Sequence, residues 1–110
     1  MKKDAVILLA EDDEGHAGLI KKNLVRSGIN NEILHFRDGQ ETLDFIFGRG
    51  SVSRKEGVEY ILLLDIRMPK VDGIEVLRQV RDDGVYKNMP VIMVTTTDEA
   101  ETVKLCNELG

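Results

Sequence analysis

Three carboxylates stand where apolar runs end. Glu11 and Asp12 follow AVILLA (5–10), and Asp65 follows YILLL (60–64), the most apolar run of the chain. Asp is depleted in strands and expensive to bury unpaired, so its place at that tip needs either a backbone role or a chemical one. If the two runs are strands of one parallel sheet, they end on the same edge, and the three carboxylates converge despite their separation in sequence. Crowded carboxylates repel one another and raise the pKa of at least one member unless a cation intervenes. Mg²⁺ suits such a place, because it prefers oxygen ligands and is commonly held by one or two carboxylates together with phosphate oxygens. A further carboxylate can then serve as a nucleophile, since aspartate forms covalent phosphoryl intermediates. The alternative is structural: Asp65 caps the following turn while Glu11 and Asp12 solvate a loop. Spacing alone leaves both readings open.

Two features favour the chemical reading. VIMV (91–94) runs into Thr95, Thr96 and Thr97, which would bring hydroxyl donors to the same edge. Met68-Pro69, followed by Val71-Asp72-Gly73, makes a rigid turn after Asp65 that lets the carbonyl of Arg67 face an ion. Other acids have an ordinary use. Asp38, Asp72 and Asp98 each stand three residues before a glutamate (Glu41, Glu75, Glu101) and open a helical pattern, so they read as N-caps in capping-box form.

The elements that would position these groups alternate. AVILLA and YILLL are continuous apolar runs, as expected of strands buried on both faces. VIMV follows Pro90, which is tolerated at a strand's start, and the mixed NEILHF (31–36) suits an edge strand. Between and after them, Ala17, Ile20, Leu24 and Val25 recur at helical spacing, as do Leu43, Ile46 and Phe47, then Ile74, Leu77 and Val80, then Ala100, Val103 and Cys106. The order β-α-β-α-β-α-β-α predicts an α/β fold with a parallel sheet covered on both faces. The stretch 47–59, with three glycines and mixed charge, reads as a long exposed loop.

Composition narrows the classes of function. The 110 residues fit one domain, and 42% hydrophobic with 32% charged residues is a globular balance. No run approaches the roughly 20 apolar residues of a membrane span, and MKKDAVILLAEDD meets carboxylates too early for a signal peptide, so a cytoplasmic protein is expected. The net charge of -5, with no basic stripe, argues against nucleic acid. Cys106 is the single cysteine and has no metal-binding companions. His16 and His35 lack metal-ligand spacing and read as structural or surface groups.

Taken together, VILLAEDD, LLLDIRMPKVDG and MPVIMVTT make the whole chain resemble the receiver domain of two-component response regulators, with the motifs in that family's order. The resemblance implies a flavodoxin-like (CheY-like) doubly wound sheet of order 2-1-3-4-5. It implies that Asp65 accepts a phosphoryl group from a histidine kinase or a small phosphodonor, in a self-catalysed step rather than as an enzyme with turnover. By the same resemblance Asp12 binds Mg²⁺ (or Mn²⁺) directly and Glu11 through water, the Arg67 carbonyl completes the protein ligands, and Thr95 is the switch hydroxyl. The long loop before the third strand is similar to that of small stand-alone regulators paired with phytochrome-like kinases.

One departure stands out: the chain ends at Gly110, where a fifth strand with its lysine and a fifth helix would follow in that family, and neither Lys70 nor Lys104 fits the lysine. A single receiver domain over 1–110, incomplete at its C-terminus with order 2-1-3-4, is therefore expected. Its fourth strand would be an apolar edge open to another chain, so a homodimer, strand exchange or poor stability is expected. Two rival functions remain at this point. An inactive receiver-like interaction module would lack the phosphoryl step. A haloacid-dehalogenase-like phosphatase would also use Asp and Mg²⁺, but it carries its nucleophile after the first strand in a DxD pattern, where this chain has Glu11-Asp12-Asp13.

Overall fold

The computed structural model describes residues 4–49, 57–65, 72–84 and 86–94. Within these, β1 (Val6–Ala10), α1 (Glu14–Arg26), β2 (Ile33–Phe36), α2 (Gly39–Ile46), β3 (Tyr60–Asp65), α3 (Gly73–Asp82) and β4 (Val91–Val94) follow in order. The fourth helix expected from Ala100, Val103 and Cys106, the Asp98 cap and the Met68-Pro69 turn lie outside the described residues.

All strand pairs are parallel, in the order β2-β1-β3-β4. This is the order expected for the first four strands of a flavodoxin-like sheet. The chain leaves β1 to one side for β2, then crosses to the other side for β3. The crevice beyond the C-terminal ends of β1 and β3 is thus the point where the winding reverses, and open sheets of this kind bind ligands there. The mixed run from the sequence is indeed the edge strand β2, half-buried throughout, whereas Leu62, Leu63 and Leu64 of β3 are fully buried.

Alternation along the strands divides the core in two. Leu8, Ala10, Leu62 and Leu64 face α2 and α3, meeting Leu43, Phe45, Ile46, Val76 and Val80. Ile7, Leu9 and Leu63 face α1, meeting Ala17, Ile20 and Leu24. Two residues of the sequence stripes fall on the outside: Val25 is 58% exposed and Ile74 60% exposed. On α3 the buried line runs Gly73, Val76 and Val80, so the spacing of three and four is kept but rotated away from Ile74. On α2, Phe45 is buried with its ring between Phe36 and Tyr60, at centroid distances of 5.2 and 5.7 Å.

The helix starts bear out the Asp caps and revise the boxes. Asp38 Oδ1 accepts the Glu41 N–H at 2.8 Å, and Asp72 Oδ1 accepts the Glu75 N–H at 2.9 Å. The returning glutamates differ from the expected box. Glu41 reaches Arg37 N–H at 3.4 Å, one residue before the cap, and Glu75 turns along α3 to bond Arg78 and Gln79. A guanidinium one turn away offers Glu75 a charged donor, which outcompetes a backbone amide.

Helix α1 ends in a Schellman arrangement, with Ile29 N–H donating to Leu24 O and Gly28 N–H to Val25 O, both at 3.0 Å. Gly28 sits at φ 87°, and a Cβ built there would meet no neighbour within 4 Å. Gly28→Ala should therefore cost only the left-handed backbone penalty, about 1 kcal/mol, read as a lower urea midpoint at unchanged slope. An unchanged midpoint would show that the turn is not held in this conformation.

Candidate functional site

The acidic groups are placed by ladder and cap. Glu11 extends β1 by one bond, its N–H donating to Phe36 O at 3.0 Å. Asp65 is the last residue of β3 rather than the first beyond it, paired in register with Val94. Asp13 starts α1: its Oδ1 accepts the His16 N–H at 3.1 Å, which removes it from the acidic cluster and makes it a helix cap. The sequence carried that signal, since an Asp directly precedes the first periodic helical residues; without a glutamate three places on, it did not form a box.

What remains is a cluster of three. One carboxylate oxygen from each of Glu11, Asp12 and Asp65 lies within 4.8 Å of the others. Glu11 is 2% exposed, Asp65 half-buried and Asp12 exposed, so the cluster runs from a buried end at Glu11 to an exposed one at Asp12. The structural alternative, in which Glu11 only solvates a loop, does not survive that burial. Burial first, and then the charge of Asp65, push the Glu11 carboxyl up to about 7, while the His16 ring nearby pulls the other way. Glu11 Oε1 accepts the Asp13 N–H at 3.3 Å and stands 3.3 Å from His16 Nδ1, whereas Oε2 is buried with no hydrogen-bond partner. An all-oxygen set with a buried, unsatisfied acceptor fits a hard divalent cation such as Mg²⁺ or Mn²⁺.

The two histidines read as structural or surface groups both touch this site. His16 is buried against the Glu11 carboxylate, and His35 of β2 bonds the Glu11 carbonyl at 2.7 Å. Nothing in the local sequence announces the second contact, which spans 24 positions and exists only once β1 and β2 are in register. Arg67 and Thr95, the other two expected site residues, lie outside the described residues.

Residues 7–110 match the family described as "Response regulator receiver domain". The chain belongs to that family. Among curated relatives, it is 35% identical over 99 residues to the probable methanogenesis regulatory protein FilR2 of Methanothrix harundinacea, covering 90% of this chain and 63% of that protein. It is 33% identical over 104 residues to response regulator Rcp1 of Synechocystis, covering 94% and 70%. The Mn²⁺-bound form of Rcp1 superposes on 93% of this receiver and 75% of that chain, with a TM-score of 0.72 and 30% identity. The bacteriophytochrome response regulator RtBRR superposes with a TM-score of 0.78 and 40% identity, over 96% of this chain and 64% of that one. The receiver thus spans less than two thirds of the length of FilR2 and of RtBRR. No helix among the described residues is long and apolar enough to cross a membrane.

Proposed function

We propose that this receiver accepts a phosphoryl group on Asp65 from a sensor histidine kinase or a small phosphodonor in the cytoplasm, and passes the change on to a protein partner through its surface. The observation that carries this reading is the meeting of Glu11, Asp12 and Asp65 at the winding reversal, with a Glu11 oxygen buried and unpaired. Asp65 is the member suited to nucleophilic attack. It ends a central strand and is only half-buried.

Glu11, Asp12 and Asp65 would hold Mg²⁺ or Mn²⁺, with Arg67 contributing its carbonyl. The Mn²⁺-bound form of Rcp1 supports this choice of ion. Such an ion, when bound, supplies positive charge opposite the negative charge that gathers on the transferring phosphoryl oxygens. An Asp65 oxygen forms the new bond to phosphorus as the bond from phosphorus to the donor's leaving atom breaks, giving an acyl phosphate. The reaction modifies the receiver itself, so it is a switch and not an enzyme turning over a separate substrate. The added charge and acceptor oxygens at the strand tip would draw in the Thr95 hydroxyl and reshape the adjoining surface.

The direct test is intact mass after incubation with acetyl phosphate, in Mg²⁺ and in chelator. One phosphoryl adduct in Mg²⁺ and none in chelator is expected. A folded chain that takes no adduct in either would favour the inactive interaction module.

A further inference from the structure

We infer that His35 is a positioning residue of the acidic cluster: from the neighbouring strand, it fixes the main chain that presents Glu11 and Asp12. The inference rests on reading that cluster as a divalent-ion site.

Both backbone polar groups of Glu11 are taken by consecutive residues of β2. Its N–H donates to the Phe36 carbonyl at 3.0 Å, the final bond of the β1–β2 ladder. Its carbonyl accepts from the His35 ring at 2.7 Å. A carbonyl can only accept, so His35 Nε2 carries the proton. The register sets up the reach: His35 pairs with Leu9, two residues before Glu11 and on the same face of the sheet, and its ring leans along the strand to the residue where regular pairing has stopped.

The position of this bond matters more than its strength. One side-chain hydrogen bond to the backbone is worth about 1 kcal/mol of stability. The carbonyl of Glu11, however, lies in the peptide plane that leads into Asp12. Fixing that plane sets how the Glu11 side chain leaves the strand, and it also sets the course of the chain into the exposed Asp12. On the far side, Asp13 is locked as the cap of α1 and its N–H is bonded to Glu11 Oε1 at 3.3 Å. The three-residue acidic turn is therefore pinned at both ends, by α1 downstream and by His35 upstream. Groups that orient metal-binding residues commonly change ion affinity about 10-fold or more when removed.

The test is calorimetric titration of Mg²⁺ into the chain and into His35→Phe and His35→Gln, with melting temperatures in chelator. Phe keeps a planar ring without the donor, and Gln offers an amide N–H near the place of Nε2. His35→Phe should bind Mg²⁺ about 10-fold more weakly, and His35→Gln should stay within a few-fold of the parent. If His35→Phe does not fold, His35→Leu takes its place as the variant without a donor. The inference is overturned if the donorless variant binds Mg²⁺ as tightly as the parent, even with a lower melting temperature, because His35 would then serve stability alone. It is overturned equally if Gln and the donorless variant are weakened alike. A parent chain that binds no Mg²⁺ removes the reading of the cluster itself, and this inference with it.

Discussion

Asp65→Asn should take no phosphoryl group from acetyl phosphate in Mg²⁺, while melting no lower than the parent in chelator at neutral pH. The two halves of this result have one cause. Asparagine keeps the shape of the side chain at the tip of β3 but lacks the anionic oxygen that must bond to phosphorus. Removing that charge also relieves Glu11, whose carboxyl is pushed up in part by Asp65. The usual confusion between a dead site and a damaged fold is therefore avoided, since the variant loses reactivity and gains, or at least holds, stability. Among the neighbouring acids, Glu11 is buried and Asp13 is bonded as a cap, and the proposed function gives the exposed Asp12 to the ion. Asp12→Asn should differ, weakening Mg²⁺ binding but leaving an adduct that returns as Mg²⁺ is raised. A normal adduct on Asp65→Asn would mean that phosphate is attached elsewhere and that the cluster is not the acceptor site.

The parts of this site legible in the sequence are those that local pattern governs. AVILLA and YILLL read as strands buried on both faces, and parallel strands end on one edge, so Glu11, Asp12 and Asp65 were expected on a common edge; that the first and third strands are neighbours was legible only through the family resemblance. Asp38 and Asp72 were legible as caps because a cap is a bond across three residues. What stayed hidden depends on register and side-chain competition. Glu75 leaves the backbone for Arg78, one turn along α3, a choice set by which donor is better and not by the box pattern. Val25 and Ile74 fit a helical spacing yet face outward, because a residue one step off a buried line lies about 100° around the helix and its apolar character does not say which line is buried. His16 and His35 gain their roles only because Glu11 is buried between α1 and β2, a fact of tertiary packing.

The burial that readies Glu11 for an ion also predicts how the ion-free receiver responds to pH. An unfolded glutamate ionises near 4.5, whereas Glu11 in the folded chain ionises near 7. Between those values the unfolded chain has released its proton and the folded chain has kept it, so this group's contribution to stability falls as pH rises through the window and stays low above it. Allowing for solvent at the exposed end of the cluster, the loss is about 2 kcal/mol. Glu11→Gln has no proton to lose at this position, and its amide can donate to Asp65 where a carboxylate repels it. In chelator the variant should match the parent near pH 4.5 and exceed it by about 2 kcal/mol at pH 8, measured by urea unfolding at both values. Comparing the two chains cancels the titrating groups that do not touch Glu11, while Asp65 and His16, which do, enter the difference with it. Mg²⁺ should reverse the order: it competes with the proton on Glu11, so the stabilisation it gives the parent should grow from pH 6 to pH 8, while the variant gains much less. An advantage for Glu11→Gln that is the same at pH 4.5 and pH 8 would show that Glu11 is not held against its charge. A parent that Mg²⁺ stabilises no more than the variant would show that this destabilised carboxylate has no ion to serve.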